Sequence, residues 1–377
     1  MIRRALAIAV AIAAACAGFL VVGSSATLSQ AGEPAGAVVF IGTGGITWSD
    51  VDPQTTPNLW GMLKDGSSAA LSVRSVNSNT CPVDGWLGLS AGGRAAAPRT
   101  GEAANPADRP CPGPPTVTDG KVTQWPVYLD EAKGQKFDTS LGLLGEVAER
   151  GSVCVRAVQP GAAVGAALPD GTVQRYSPWN SATLLEDLNG CQVTLVDVGA
   201  VRDPLDVAVG ETPTGTREVQ LSEIDARIGE VLGAGPSGAD FIVASIADAG
   251  VSERLRLVVA RGPHFGPGVL ESSSTRQVGL AQSPDLTATI LSSVGLRVPD
   301  SVGGAALTSR PAPDNSEQRA RDRLRTLVDF DEASHDVHGL VEPFFTVFAY
   351  GQLVIYLLVL LVYKGRIGSE ETRVKVL

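Results

Sequence analysis

The sequence predicts an α/β fold: a mostly parallel sheet with helices on both faces, followed by one C-terminal transmembrane helix. Three observations predict it. Short apolar runs at residues 36–42 and 241–246, and the Val- and Leu-rich segment 192–198, read as strands buried in a sheet. Between them lie segments with apolar spacing of three and four, and such alternation of strands and helices builds parallel sheets through helical crossovers. Residues 344–363 are twenty positions without a charge, which at 1.5 Å per residue span roughly 30 Å, the thickness of a bilayer's hydrocarbon core.

The elements follow in order. Arg3 and Arg4 precede an apolar run at 5–22, and Ser29-Gln30-Ala31 supplies small residues at a cleavage position. Residues 1–31 therefore read as a signal peptide or signal anchor. The first strand, 36–42, leaves through Gly42-Thr43-Gly44-Gly45, which lacks the Gly-x-Gly-x-x-Gly spacing of a dinucleotide site and reads as a tight turn. Thr56-Pro57-Asn58-Leu59 opens a helix, and 69–76 is a second strand. Residues 91–122, rich in Gly, Ala, Pro and Arg without periodicity, read as a loop insertion. A helix at 141–150, a strand at 153–158, a Gly-Ala-Ala turn, a helix at 184–188, the strand 192–198, a helix at 221–232 and the strand 241–246 complete the alternation. Asp285 leads a further helix that closes on Gly295 and Pro299.

A Pro-rich linker at 310–314 leaves the core, and Asn315 or Ser316 caps a charged helix running to about Asp331. These signals divide the chain into an exported domain (32–309), a linker and juxtamembrane helix (310–342), the spanning helix (343–364) and a tail (365–377). Lys364 and Arg366 mark the tail as cytoplasmic, so the main domain is expected outside the plasma membrane.

Composition narrows the partners. A net charge of −10 argues against nucleic acid as a partner and against an anionic lipid surface. Outside the leader there are four cysteines, Cys81, Cys111, Cys154 and Cys191, an even number that suits two disulfides in an exported domain. Three pairings are open, and the sequence-adjacent pairs Cys81–Cys111 and Cys154–Cys191 are the expectation. No Cys-x-x-Cys occurs, so a thiolate metal site is not expected.

Several segments share an order. Val38-Val39-Phe40-Ile41 is followed by Thr56-Pro57-Asn58-Leu59, then by Asn79-Thr80-Cys81-Pro82 with Ser90-Ala91-Gly92. Asp197 ends a strand, and Asp225-Ala-Arg-Ile-Gly229 lies on a helix. Phe241-Ile-Val-Ala-Ser-Ile-Ala-Asp248-Ala249-Gly250 precedes Asp285-Leu-Thr-Ala-Thr289-Ile-Leu291, with Gly295 and Pro299. This order resembles the alkaline phosphatase superfamily, and is similar to exported actinobacterial membrane proteins that carry such a domain.

The resemblance implies a Ser or Thr nucleophile between two divalent metals, one polarising the phosphoryl oxygen and one activating the hydroxyl. Carried over, it places Thr80 at the nucleophile position and Asp197 and Asp248 at ligand positions. Other positions depart from the pattern. Gly42-Thr43 stand where the resemblance calls for an Asp, Ala249 replaces a His, and of three His only His264 lies in the core, His335 and His338 being juxtamembrane.

The expectation is therefore a catalytically degenerate domain acting as a binding or structural module in cell-envelope biogenesis. Thr80, Asp197, Asp248 and Arg276 are its candidate ligand contacts, Arg276 as a bidentate phosphate clamp. No cofactor is expected beyond a single divalent cation, for which Asp50, Asp52 and Asp248 offer oxygens. The first alternative is an active phosphohydrolase or phosphotransferase on a phosphorylated envelope lipid or glycan, with Thr80 as nucleophile. A second is a serine hydrolase: Gly88-Leu89-Ser90-Ala91-Gly92 matches Gly-x-Ser-x-Gly, with Asp248 and His264 following in triad order.

Overall fold

The computed structural model describes residues 36–364 apart from 78, 100–108, 138, 203–214 and 251–253. The leader, the tail and part of the expected insertion thus lie outside the described residues, as do the side chains of residues 338, 339, 342 and 362.

The centre of the sheet is β1 (Val38–Gly44), paired in parallel with β7 (Val193–Ala200) on one side and β8 (Asp240–Ser245) on the other. Beyond β7 the parallel order continues through β5 (Val155–Val158) and β6 (Arg175–Ser177). Beyond β8 the sheet changes character. β9 (Arg256–Arg261) runs antiparallel to β8, and β2 (Ser67–Ser72) antiparallel to β9, so β2 again points with β1. β10 (Gly268–Glu271) and β11 (Leu280–Gln282) pair in parallel with β2, and β12 (Thr308–Pro311) closes the edge antiparallel to β10. The sheet is mixed and mostly parallel. Residues 308–311, at the start of the expected linker, are its edge strand. A separate two-stranded hairpin joins β3 (Val117–Thr118) to β4 (Lys121–Val122).

Period-two alternation along β1 builds two core layers. Val38 and Phe40 face one side, covered by α2 (Pro82–Ala91), α3 (Trp125–Gly134), α4 (Leu143–Arg150), α5 (Pro160–Ala166) and α8 (Ser283–Ser293). Val39 and Ile41 face the other, covered by α1 (Pro57–Asp65), α6 (Leu184–Asn189), α7 (Arg217–Ala234) and the first part of α9 (Glu317–Tyr363).

Two sequence motifs have a structural explanation. The Asp225 carboxylate accepts the amides of Asn58 (3.1 Å) and Leu59 (2.9 Å), capping the N-terminus of α1 from α7. Gly229, one turn on, is where the Asn58 side chain packs, and a Cβ there would meet its amide group at 2.7 Å. Asp285, fully buried, accepts the Gln282 amide, the Ser274 hydroxyl and the Ala305 amide, while Thr289 bonds back to the Asp285 carbonyl and accepts the Leu307 amide. These residues fasten α8 to its flanking loops.

The Gly-x-Ser-x-Gly segment at 88–92 lies at the end of α2, and the structure has α5 where the Gly-Ala-Ala turn was expected. Both are glycine-rich, so they show little apolar periodicity. They pack by backbone approach instead: a Cβ on Gly85 would strike the Ile246 carbonyl, and Gly161 and Gly165 sit against Trp86. The two disulfides join Cys81 to Cys111 and Cys154 to Cys191, the sequence-adjacent pairs.

α9 is one helix of 47 residues, about 70 Å long. Its first turns belong to the folded domain. Ala320, Leu327 and Asp331 are buried, and Asp331 pairs with Arg254 at 2.8 Å. None of Pro343–Leu361 is buried, and the segment is long and apolar enough to cross a membrane.

Candidate functional site at the carboxyl ends of the central strands

β1, β7 and β8 are parallel, so Gly42-Thr43-Gly44, Asp197 and the segment after Ser245 emerge at one edge of the sheet. That edge is where open α/β sheets place their ligands. The loop preceding α2 lies against it and carries Thr80.

Thr80 and Asp248 meet there. The Thr80 amide donates to Asp248 Oδ2 (2.8 Å), and the Asp248 amide donates to the Thr80 carbonyl (2.8 Å). The other oxygen, Asp248 Oδ1, receives Nη2 (2.7 Å) and Nε (3.0 Å) of Arg256 from β9. Exposure is 4% for Thr80, 3% for Asp248 and 2% for Arg256, so this ion pair is closed off from solvent. The Thr80 hydroxyl accepts the Ser75 amide at 3.0 Å.

A second arginine holds the same loop from its other side. Arg99 donates to the Asn79 carbonyl (2.6 Å), to Asn79 Oδ1 and to Asp84 (3.2 Å). Asp84, in the first turn of α2, also accepts the amides of Cys81 and Ala97. Its burial pushes its pKa up to about 6, against the opposing pull of Arg99 and the amides. Loop 75–81 is thus clamped between two arginine–aspartate pairs.

Trp86 fills the middle of the edge. Its ring is buried on α2 and meets Phe40 edge-on at 6.0 Å. A Cβ placed on Gly42 would lie 2.5 Å from Cη2 and Cζ2 of the indole. With Trp86 in this position, β1 cannot carry a carboxylate at residue 42. The Gly that departs from the expected Asp is therefore the complement of an aromatic side chain.

Asp197 lies on the opposite flank of β1 from Asp248. Its Oδ1 accepts the Gly199 amide at 2.9 Å, the Gly161 amide also donates to it, and it stands beside Trp86. Desolvation raises its pKa to about 6, against these amide bonds and the charge of Arg227. Arg276 occupies an exposed turn after β10, with left-handed φ of 55°. It is at the same edge, but no hydrogen bond or ion pair among the described residues joins its side chain to Thr80, Asp197 or Asp248.

Two expectations are corrected. The Asp50 carboxylate is already paired and is not free to share a cation with Asp52. Asp50 caps Thr47 and pairs with Arg217 at 2.6 Å, and Asp52 accepts the amides of Gln54 and Thr55 within its own turn. The Ser90 triad does not assemble either. Ser90 is a fully buried residue of α2 whose hydroxyl accepts the Gly142 amide. His264 bonds Asp240 at 2.6 Å, at the opposite end of β8 from Asp248. The strand between them is about 17 Å long.

Among the described residues no group of three His, Cys, Asp or Glu converges as a metal site would require. Reading the sequence alone missed Arg256, Arg99 and Trp86. The one available signal was Arg256 inside the apolar alternation Leu255-Arg256-Leu257-Val258-Val259.

No family model matches the chain, and no curated protein matches it. Solved structures resemble it at a distance. Murine ectonucleotide pyrophosphatase/phosphodiesterase 5, in its inactive form with AMP, has 12% identity over 70% of this chain and 96% of that one, at a TM-score of 0.44. A Pyrococcus horikoshii protein has 10% identity over 70% and 97%, at 0.42. A protein in complex with its substrate D-glucosamine-2-N,6-O-disulfate has 9% identity over 72% and 79%, also at 0.42. At this distance the likenesses assign this chain neither a family nor an activity.

Proposed function

We propose that this chain is a membrane-anchored, extracytoplasmic domain of alkaline-phosphatase-like architecture that binds ligand or partner rather than turning substrate over. In this reading it serves cell-envelope biogenesis, held at the membrane by the apolar part of α9. Its ligand class is a phosphorylated envelope lipid or glycan, met at the strand edge where Arg276 is exposed.

The observation that supports the reading most is the closed pair of Asp248 with Arg256 beside Thr80. The guanidinium supplies the positive charge that the resemblance assigns to a metal, and the ion pair is buried at 2–4% exposure. A Thr hydroxyl that accepts a backbone amide, with no general base among its hydrogen-bond partners, is poorly set up as a nucleophile.

The second reading is a phosphotransferase with Thr80 as nucleophile, favoured by the place of Thr80 directly ahead of α2. The two separate in one assay. Full-length protein in detergent micelles is offered p-nitrophenyl phosphate and bis(p-nitrophenyl) phosphate with Mg²⁺, Mn²⁺ or Zn²⁺. Binding-only function predicts rates equal to those of Thr80→Ala. Turnover that disappears in Thr80→Ala would replace this reading with the second.

A further inference from the structure

A cavity of about 590 Å³ lies between the first turns of α9 and the β2–β10–β12 side of the sheet, sharing no lining residue with the strand-end site. That size is in the range of small-molecule sites. Its wall is largely apolar, with Val269, Val278, Leu327 and Phe330 among its lining.

Two polar side chains in this wall are incompletely satisfied. Ser68 is 1% exposed, and its hydroxyl has no hydrogen-bond partner. Arg323 donates from Nη2 to the carbonyls of Leu63 (2.6 Å) and Lys64 (3.2 Å), while its buried Nε and Nη1 have no acceptor. Burial draws the Arg323 pKa below its ordinary value, and the charge of Asp314 offsets part of that. Buried donors on a cation are costly to leave unmet, and carboxylate or phosphate oxygens meet them best. The lining contains three arginines, Arg310, Arg319 and Arg323, against one carboxylate, Asp322. Arg310 is drawn to Glu271 and Arg319 to Asp314 outside the lining, which leaves Arg323 as the innermost cation. The same helix continues from Phe330 to the apolar span at Pro343, a rise of about 20 Å.

We propose that this cavity binds an anionic amphiphile: an acyl or prenyl chain ending in a carboxylate or phosphate. The head group sits at Arg323 and Ser68, and the tail lies along Val269, Val278, Leu327 and Phe330. This site is independent of the reading given for Thr80 and Asp248. One chemistry serves two sources, a bilayer lipid or a free acid.

The test uses full-length protein in phosphatidylcholine nanodiscs. One arm receives diazirine-bearing palmitic acid from solution, and the other carries diazirine-bearing phosphatidic acid in the bilayer. Labelled peptides are mapped by mass spectrometry after illumination. The expected result is labelling within 277–279 or 319–330. The free acid alone giving this label identifies a soluble source, and phosphatidic acid alone a membrane source. Arg323→Gln lowers the label about tenfold by removing the charged donors.

Because Arg323 also anchors α9, Val278→Trp provides a variant at the rim. Val278 is 45% exposed, so the indole blocks the tail path without entering the core. It abolishes the cavity label while the thermal midpoint stays unchanged. Label confined to 343–361 with both probes, or cavity label that survives Val278→Trp, overturns the proposal. A cross-link joining a second copy across the cavity overturns it too, by showing the occupant to be protein.

Discussion

Removing Arg256 tests the buried pair on which the site is built. In Arg256→Ala, the Asp248 carboxylate keeps the Thr80 amide at 2.8 Å but loses both guanidinium bonds, at 2.7 and 3.0 Å, in a place 3% exposed. Breaking such a pair from one side costs about 3–5 kcal/mol, because a charge remains buried without its counterion. Removing both charges costs much less. Arg256→Met with Asp248→Leu should recover most of the loss, since apolar replacements of similar volume often match a buried pair. The assay is urea unfolding of the full chain in micelles, followed by tryptophan fluorescence. All five tryptophans (Trp48, Trp60, Trp86, Trp125 and Trp179) precede α9, so the signal reports the folded domain. A loss below about 1 kcal/mol in Arg256→Ala, the range of exposed pairs, would refute the closed site. So would a double variant no better than the single one.

Two further predictions concern the same edge. Gly42→Ala puts a Cβ 2.5 Å from the Trp86 ring and should cost about 1–3 kcal/mol by overpacking. Trp86→Leu in the same chain should reduce that cost, and additive losses would show that the ring does not lie against β1. Asp197→Asn should change the pH dependence of stability. The folded-state pKa of Asp197, about 6, lies above its ordinary 3.8, so the native state holds its proton more tightly and ionisation lowers stability as pH rises through that window. The variant, which has no proton to lose, should match wild type near pH 3.8 and gain on it up to about pH 6, levelling off above. Thermal midpoints across pH check this, and a gain that grows towards acid would contradict it.

The central strands were legible because they are buried on both faces, so apolar residues dominate their sequences even where Thr194 and Asp197 interrupt one of them. The runs at 36–42, 192–198 and 241–246 correspond to β1, β7 and β8 within two residues at each end. Beyond β8 only β2, expected at 69–76, was legible. β9 begins and ends in arginine, and β10, β11 and β12 have three or four residues each, too short for a period to emerge. α2 and α5 were hidden by the glycines that let them pack closely.

The motif order singled out Thr80 and Asp248, and the fold brings these two residues into contact. That order could not reveal that the partner of Asp248 is an arginine eight residues away across a strand reversal. Asp50 shows the converse: an acidic residue with the right chemistry for a cation, spent on Arg217, 167 residues further on. Charge type is visible in a sequence, but charge pairing is a property of the fold.

In the proposed site arginine, rather than metal, neutralises the carboxylates at this edge. The direct measurement is the metal content of purified full-length protein after dialysis against trace Zn²⁺, Mg²⁺ and Mn²⁺, read by plasma mass spectrometry beside Asp248→Ala. Retained metal should be far below one ion per chain and equal in both proteins. One or more ions per chain, lost in Asp248→Ala, would contradict this and make Thr80 the nucleophile to pursue.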